Sequence, residues 1–278
     1  ILFGTACMGA VKYVPENMKV ELSLKVPGNN AVNYKLHPDK LENSYFDYEW
    51  RSDNKLPITV FHKVEERDSC MRLTVQLTAA QDVYFNYRQL LSTGYRHDNC
   101  QFYMPGFWYR RNLRSPKKAP SFHTSDSWLV REDRLSAPLT GIFSEKEKRF
   151  MTVNRLDDFS MDALATHKEG EIILSGKTSL GFTGFENQQG IAMLSFGFPY
   201  REAPKSYIRK LTLAPEVEAF QLMKKGESVL LTWEIMESGA DDFSDFIQHT
   251  WEHCYDTYAP KPVENSYSIA DMKQVLSC

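Results

Sequence analysis

The sequence lacks an apolar run of the roughly 20 residues that a bilayer span needs, and it has little net charge. Thirty-three Lys and Arg stand against 36 Asp and Glu in 278 residues, which gives a formal net charge of -3. This balance offers no general attraction to a phosphate backbone, so we do not expect nucleic acid as a partner.

Short metal-binding motifs are also missing. The five cysteines contain no CxxC pair and the seven histidines no HExxH spacing, so we expect no metal site and no cofactor. A disulfide between Cys70 and Cys100 stays open, because spacing alone neither requires nor excludes it. The composition, 42% hydrophobic and 13% aromatic, is typical of a chain with a buried core.

The dominant pattern is alternation of apolar and polar residues, which predicts half-buried β-strands. It is clearest at 18–26 and 71–77. Weaker candidates share the pattern and lie at 58–64, 83–87, 150–154, 171–175, 191–196 and 228–235. Many short strands separated by turn signals predict antiparallel sheets. We therefore expect residues 11–239 to form a large antiparallel β-sandwich of the all-β class.

The pattern changes after Gly239. Apolar residues then recur at helical spacing up to Pro260, with Asp241 or Asp242 available as N-cap. Residues 240–262 are therefore predicted to form a linker helix with its short Pro-rich end. Ser268 to Asp271 are typical of a capping box, so we expect 263–278 to begin a further helical domain.

The first ten residues are small and apolar and are typical of the tail of an export signal. Gly4 to Cys7 resemble a lipobox, in which Cys7 would carry the lipid, although Gly4 stands where Leu is usual. Cleavage after Ala10 and a merely frayed terminus are the alternatives. We expect an exported protein, periplasmic or on the cell surface, that contacts a membrane only through this anchor.

The order of a sandwich, an aromatic helix and a Pro-bounded linker resembles the amino-terminal part of the bacterial six-hairpin glycosidases. Lys225 to Glu227 and Thr232 to Ile235 resemble the closing strand of their sandwich, and Phe246 to Pro260 resemble their linker helix. The resemblance implies a mutarotase-like supersandwich followed by an (α/α) toroid. It also implies a hydrolase or phosphorylase rather than a lyase, with the catalytic carboxylates in the toroid.

Glycoside hydrolysis needs two facing carboxyl groups, and the sequence offers no convincing pair. Asp157 and Asp158 would point to opposite faces of an extended chain, and Asp241 and Asp242 are better explained by capping. The catalytic residues are therefore unassigned.

The segment 103–118 is rich in aromatic and cationic residues, and its Pro and Gly favour an irregular loop. We expect its aromatic rings to stack on sugars and its cations to bind a uronate or sulfate, which would favour an acidic glycan. The candidate substrate-binding residues are Phe107, Trp108, Tyr109, Arg110, Arg111 and Arg114, followed downstream by His123 and Asp126. The alternative is a loop whose aromatics fill a gap between the sheet edge and the linker helix, with its cations solvated. Trp128 is expected to begin a strand and to pack in the core rather than to offer a stacking face.

The leading hypothesis is a non-catalytic domain of an exported glycoside hydrolase, which docks on its own helical domain and helps to shape a polysaccharide cleft. One alternative is a cell-surface carbohydrate-binding or adhesion module. Another is a stand-alone aldose-epimerase-like enzyme, which would need a His and a carboxylate converging on a concave sheet face.

Overall fold

A computed structural model describes residues 14–67, 70–113, 120–157, 169–209, 212–261 and 273–274, with backbone only for 206–209 and 212–214. The strands are β1 (Met18–Lys25), β2 (Val32–Lys40), β3 (Tyr48–Arg51), β4 (Ile58–Glu66), β5 (Cys70–Ala79), β6 (Val83–Arg96), β7 (Cys100–Met104), β8 (Trp108–Arg110), β9 (Trp128–Arg131), β10 (Leu139–Ser144), β11 (Arg149–Arg155), β12 (Gly170–Ile173), β13 (Phe182–Gln188), β14 (Ile191–Phe198), β15 (Arg201–Glu202), β16 (Ser206–Arg209), β17 (Thr212–Ala214), β18 (Val217–Met223) and β19 (Ser228–Gly239). One α-helix, α1 (Phe243–Tyr258), follows them. Short 3-10 turns cover Pro15–Asn17, His97–Asn99 and Glu132–Arg134.

Most strands form two mainly antiparallel sheets, while β12 and β15 pair with β18, and β16 and β17 pair with each other. The first sheet has the order β2-β1-β6-β14-β13-β9, and β18 extends it beside β6. The second has the order β3-β4-β5-β19-β11-β10-β7-β8. Strand β2 also pairs with β3 and so links the two sheets, while β12 and β18 run parallel. Mostly antiparallel sheets in this arrangement fit the predicted β-sandwich.

The core lies between the two sheets and follows the alternation in the sequence. In β1, Val20 and Leu22 are buried, and Trp233 of β19 reaches across to contact rings of the first sheet. Its ring centroid lies 6.3 Å from that of Tyr87 and 5.2 Å from that of Phe196. Each strand predicted from alternation is confirmed within a few residues, except that β6 runs on to Arg96.

The predicted helix is also confirmed. Asp242 is its N-cap, and its carboxylate accepts hydrogen bonds from the backbone N–H groups of Ser244 (2.7 Å) and Asp245 (2.9 Å). Ala259 ends the helix in a left-handed conformation just before Pro260. Among the described residues, no helix combines the length and hydropathy that a membrane span requires.

Three sequence predictions fall largely or wholly outside the described residues. These are the export signal at 1–10 with Cys7, the further domain at 263–278, and the (α/α) toroid that the resemblance implies. Of 263–278, only Lys273 and Gln274 are described, and both have helical backbone. Cys70 and Cys100 are free thiols, so the disulfide left open between them is not formed.

Candidate functional site

Helix α1 packs on the outer face of the second sheet through Phe246. This side chain is fully buried, and its ring centroid lies 4.9 Å from that of Phe150, 6.0 Å from Phe143 and 6.1 Å from Tyr103. A Cβ atom at Gly141 would lie 2.5 Å from the Phe246 ring, so β10 needs glycine where the helix approaches. The sheet face and the helix form a second apolar cluster outside the main core.

Two aromatic side chains of α1 are held by hydrogen bonds at their polar ends. Trp251 donates from Nε1 to the Tyr103 hydroxyl at 2.7 Å. The Tyr258 hydroxyl lies 2.8 Å from both Asn154 Oδ1 and the Arg155 carbonyl oxygen. These bonds fix the two rings on the sheet while leaving part of each ring exposed.

Beside these rings lies a cleft of about 510 Å³ between α1 and the segments that precede β10 and follow β11. The exposed fractions of its aromatic side chains are 39% for Trp251, 64% for Tyr255 and 43% for Tyr258. The opposite wall and the rim are formed by Ser136, Ala137, Pro138, Leu156, Asp157 and Pro260. The cleft therefore combines flat apolar faces with few polar groups, which is typical of small-molecule sites.

The charge of Asp157 in this cleft is balanced. Its Oδ2 accepts from Arg155 Nε at 3.1 Å and from the backbone N–H of Thr232 at 2.8 Å. Arg155 also donates to the fully buried Glu132 at 2.7 Å. Burial raises the pKa of Glu132, and the attraction of Arg155 opposes that rise. Asp157 therefore belongs to a compensated ion-pair network and does not carry a free charge.

Residues 103–110 belong to the β7–β8 hairpin rather than to the predicted irregular loop, because Gly106 (φ +79°) allows a tight turn between the two strands. Trp108 is fully buried against Trp128 and Phe185, at centroid distances of 5.3 and 5.0 Å. Trp108 is thus a core residue, which corrects its expected exposure as a stacking face. Phe107 is partly buried against the same core.

Tyr109 and Arg110 of the hairpin remain exposed and lie beside α1. The Arg110 guanidinium lies 5.0 Å from the centroid of the Phe243 ring, and the Tyr109 ring lies 5.3 Å from that of Tyr103. Arg111 is instead engaged: it donates to the carbonyl groups of Asp98 and Cys100. Arg114 lies outside the described residues.

His123 and Asp126 lie on a separate turn that leads into β9. Both are exposed, and the Asp126 carboxylate accepts from Asn187 Nδ2 at 2.6 Å. Trp128 is 1% exposed in the core and begins β9, as expected from the sequence. Substrate binding by the named loop residues stays a prediction, with only Tyr109, Arg110, His123 and Asp126 exposed among those described.

A further cluster lies under α1, where Cys70 of β5, Glu234 of β19 and His253 of the helix meet. One ligand atom of each lies within 4.8 Å of the others. His253 Nε2 is 2.8 Å from Glu234 Oε1, and Arg72 Nη2 is 3.3 Å from Glu234 Oε2. The sequence analysis missed this cluster, because its members are far apart in the chain and form no short motif.

The outer face of the first sheet carries a network of paired charges. Arg88 pairs with Glu21 (3.1 Å) and Glu186, and Arg201 pairs with Glu218. The His–carboxylate pairs found in the described ranges are instead His253–Glu234, between α1 and β19, and His249–Asp245, within α1. This distribution does not favour the epimerase-like alternative, which needs such a pair on an open sheet face.

Comparison with protein families and with curated proteins finds no match to this sequence. Several solved structures are similar at a distance, including the following two. The polysaccharide lyase BACCELL_00875 is 14% identical over 84% of this chain, with a TM-score of 0.38. The Slr1438 protein from Synechocystis sp. PCC 6803 is 7% identical over 78% of this chain and 73% of its own, with a TM-score of 0.41. The chain spans 27% of the lyase's length, and likeness at this level carries no argument about activity.

Proposed function

We propose that this protein is a carbohydrate-binding β-sandwich domain whose cleft beside α1 binds a neutral glycan. The observation that carries the proposal is the group of partly exposed aromatic rings, Trp251, Tyr255 and Tyr258, around one cleft. Aromatic rings offer flat apolar faces that suit the C–H faces of sugars. Two of these rings are already fixed by hydrogen bonds, which lowers the entropy lost on binding.

The charges around the cleft favour a neutral sugar over a uronate or sulfate. None of the described residues that line it is Lys or Arg, so the cleft offers an anion no cation to pair with. Among the described arginines, the preference for an acidic glycan drawn from the sequence rests on Arg110, because Arg111 is engaged by backbone carbonyls. Arg110 lies beside Phe243, at the opposite end of α1 from Tyr258.

The test is binding of the purified chain to a glycan array that contains both neutral and acidic oligosaccharides, followed by calorimetry on the best ligand. We expect Tyr255→Ala to weaken binding about tenfold or more, since tenfold corresponds to about 1.4 kcal/mol. This side chain is 64% exposed, so its loss should leave the fold intact. Trp251→Ala should weaken binding further.

The matched control is Tyr45→Ala, which removes another exposed tyrosine (70%) that does not line the cleft. It should bind like the unaltered protein. Equal affinity for all three variants would contradict the placement of the site. Binding restricted to uronates or sulfated sugars would contradict the neutral ligand.

Within this function, we infer the finer role of a non-catalytic, amino-terminal domain of an exported glycoside hydrolase, with a lipid anchor on Cys7. In its support, α1 ends at Tyr258 and Pro260 lies at the cleft, so the chain that follows starts next to the bound glycan. Translating the coding DNA beyond the codon for Cys278 tests this role. Several hundred residues of paired amphipathic helices would support it, and an immediate stop codon would favour a cell-surface binding module.

A further inference from the structure

The cluster under α1 joins three elements that are distant in the chain. Cys70 begins β5, Glu234 lies on the neighbouring strand β19, and His253 lies on α1. Because Cys70 pairs with Met236 and Arg72 with Glu234, Cys70 and Glu234 are diagonal neighbours on the same face of the sheet. The helix then brings His253 over this pair.

These side chains have the ligand chemistry and the burial of a transition-metal site. Thiolate, imidazole and carboxylate are the groups that bind Zn²⁺, which takes tetrahedral coordination in proteins. Glu234 is 3% exposed and Cys70 is 4% exposed, whereas the side chain of His253 is 21% exposed. Their ligand atoms already lie within 4.8 Å of one another, so small movements would bring all three to one ion.

We propose that Cys70, Glu234 and His253 bind a divalent metal ion of the zinc type, which ties α1 to the second sheet. The ion takes the place of the proton on the Cys70 thiol, and that proton is released to solvent on binding. The Arg72 guanidinium keeps its contact with the second carboxylate oxygen of Glu234. The exposed side of His253 leaves room for water as the fourth ligand.

The same contacts could instead be a purely structural hydrogen-bond network, in which His253 and Thr257 both donate to Glu234 Oε1. His253→Gln separates these two cases. The glutamine amide can still donate to Glu234, but it replaces an imidazole that binds metal well. A structural role would therefore survive this substitution, whereas metal binding would be weakened.

The experiment uses the full chain after treatment with a chelator. Zn²⁺ is titrated in competition with a chromophoric chelator, and Co²⁺ is titrated while the absorption spectrum is recorded. We expect one ion per chain, visible bands typical of tetrahedral Co²⁺, and a thiolate-to-cobalt charge-transfer band. His253→Gln should weaken the apparent affinity at least about tenfold, as loss even of an outer-shell group does.

Cys70→Ser should abolish the charge-transfer band, while Cys100→Ser, which alters a buried thiol outside the cluster, should leave it unchanged. If Cys70→Ser does not fold, His253→Gln decides the matter, because its side chain is partly exposed. Absence of Zn²⁺ binding at micromolar concentration, or binding that is unaffected by His253→Gln, would overturn the proposal. Glycan binding at the cleft is measured separately, so the two proposals can fail independently.

Discussion

Replacing Phe246 by Ala tests whether α1 is an integral part of the sandwich. The Phe246 ring is fully buried and contacts the rings of Tyr103, Phe143 and Phe150 on three strands. Truncation of a buried phenylalanine costs about 3–5 kcal/mol, because apolar contact is lost and a cavity remains. We expect the free energy of unfolding to fall by an amount in this range, since neighbouring rings on separate strands cannot easily move to fill the space.

The assay is urea unfolding followed by tryptophan fluorescence and circular dichroism, combined with the reactivity of Cys254 towards a thiol reagent. Cys254 lies on the buried side of α1 and is 2% exposed, so its reactivity should rise when the helix lifts from the sheet. Phe246→Leu, which keeps most of the apolar volume, should lose much less stability. Tyr255→Ala should change the free energy of unfolding by less than about 0.5 kcal/mol, as exposed positions do.

A loss below about 1 kcal/mol for Phe246→Ala, with Cys254 still protected, would refute the packing of α1 described above. A helix that lifts on its own would instead raise Cys254 reactivity well before the main unfolding transition. That result would mean that Phe246 stabilises the packing of α1 on the sheet more than it stabilises the sandwich itself. A large loss of stability or an early lifting of the helix would also disturb the cleft, because Trp251 and Tyr258 lie on the same helix.

Two further predictions concern stability. Burial lowers the pKa of His62 from its ordinary 6.5 to about 3, so the unfolded chain binds a proton that the folded chain does not. The stability from this group is present above pH 6.5 and is lost as the pH falls towards 3, by up to about 5 kcal/mol. Urea unfolding at pH 7 and pH 4 should therefore show a smaller pH effect for His62→Gln than for the unaltered chain; equal effects would exclude His62 as the cause. Asp242→Ala removes the N-cap of α1 and should cost about 1 kcal/mol, whereas Asp241→Ala should cost less in the same denaturation assay.

The strands and the helix could be predicted because their signals are local. Alternation in 18–25 places Val20 and Leu22 on one face whatever the partner strand is, and β1 has this pattern. Asp242 likewise caps α1 through bonds to Ser244 and Asp245, only two and three residues ahead. Such features depend on backbone geometry within a few residues, so the sequence is sufficient to find them.

The binding residues were harder to predict because exposure depends on the whole fold. Trp108 and Tyr109 are neighbours in an aromatic segment, yet one is fully buried and the other is 52% exposed. Their strand, β8, turns alternate residues to opposite sides, and the sequence does not say which side meets the core. The helical spacing of the aromatic residues in α1 is visible in the sequence. The sequence does not show that Phe246 is buried and Tyr255 exposed.

By itself, the sequence determined the alternating strands, the capped helix and the sandwich architecture. The alternation of apolar and polar residues and the capping of a helix both act between residues that are close in the chain. Only the tertiary structure decided which part of the helix the sheet covers and where the cleft lies. It also decided that Cys70, Glu234 and His253 meet, since strand register and helix docking together set that contact. The physical reason is that a site is formed by residues distant in the chain, whose positions depend on how the elements pack.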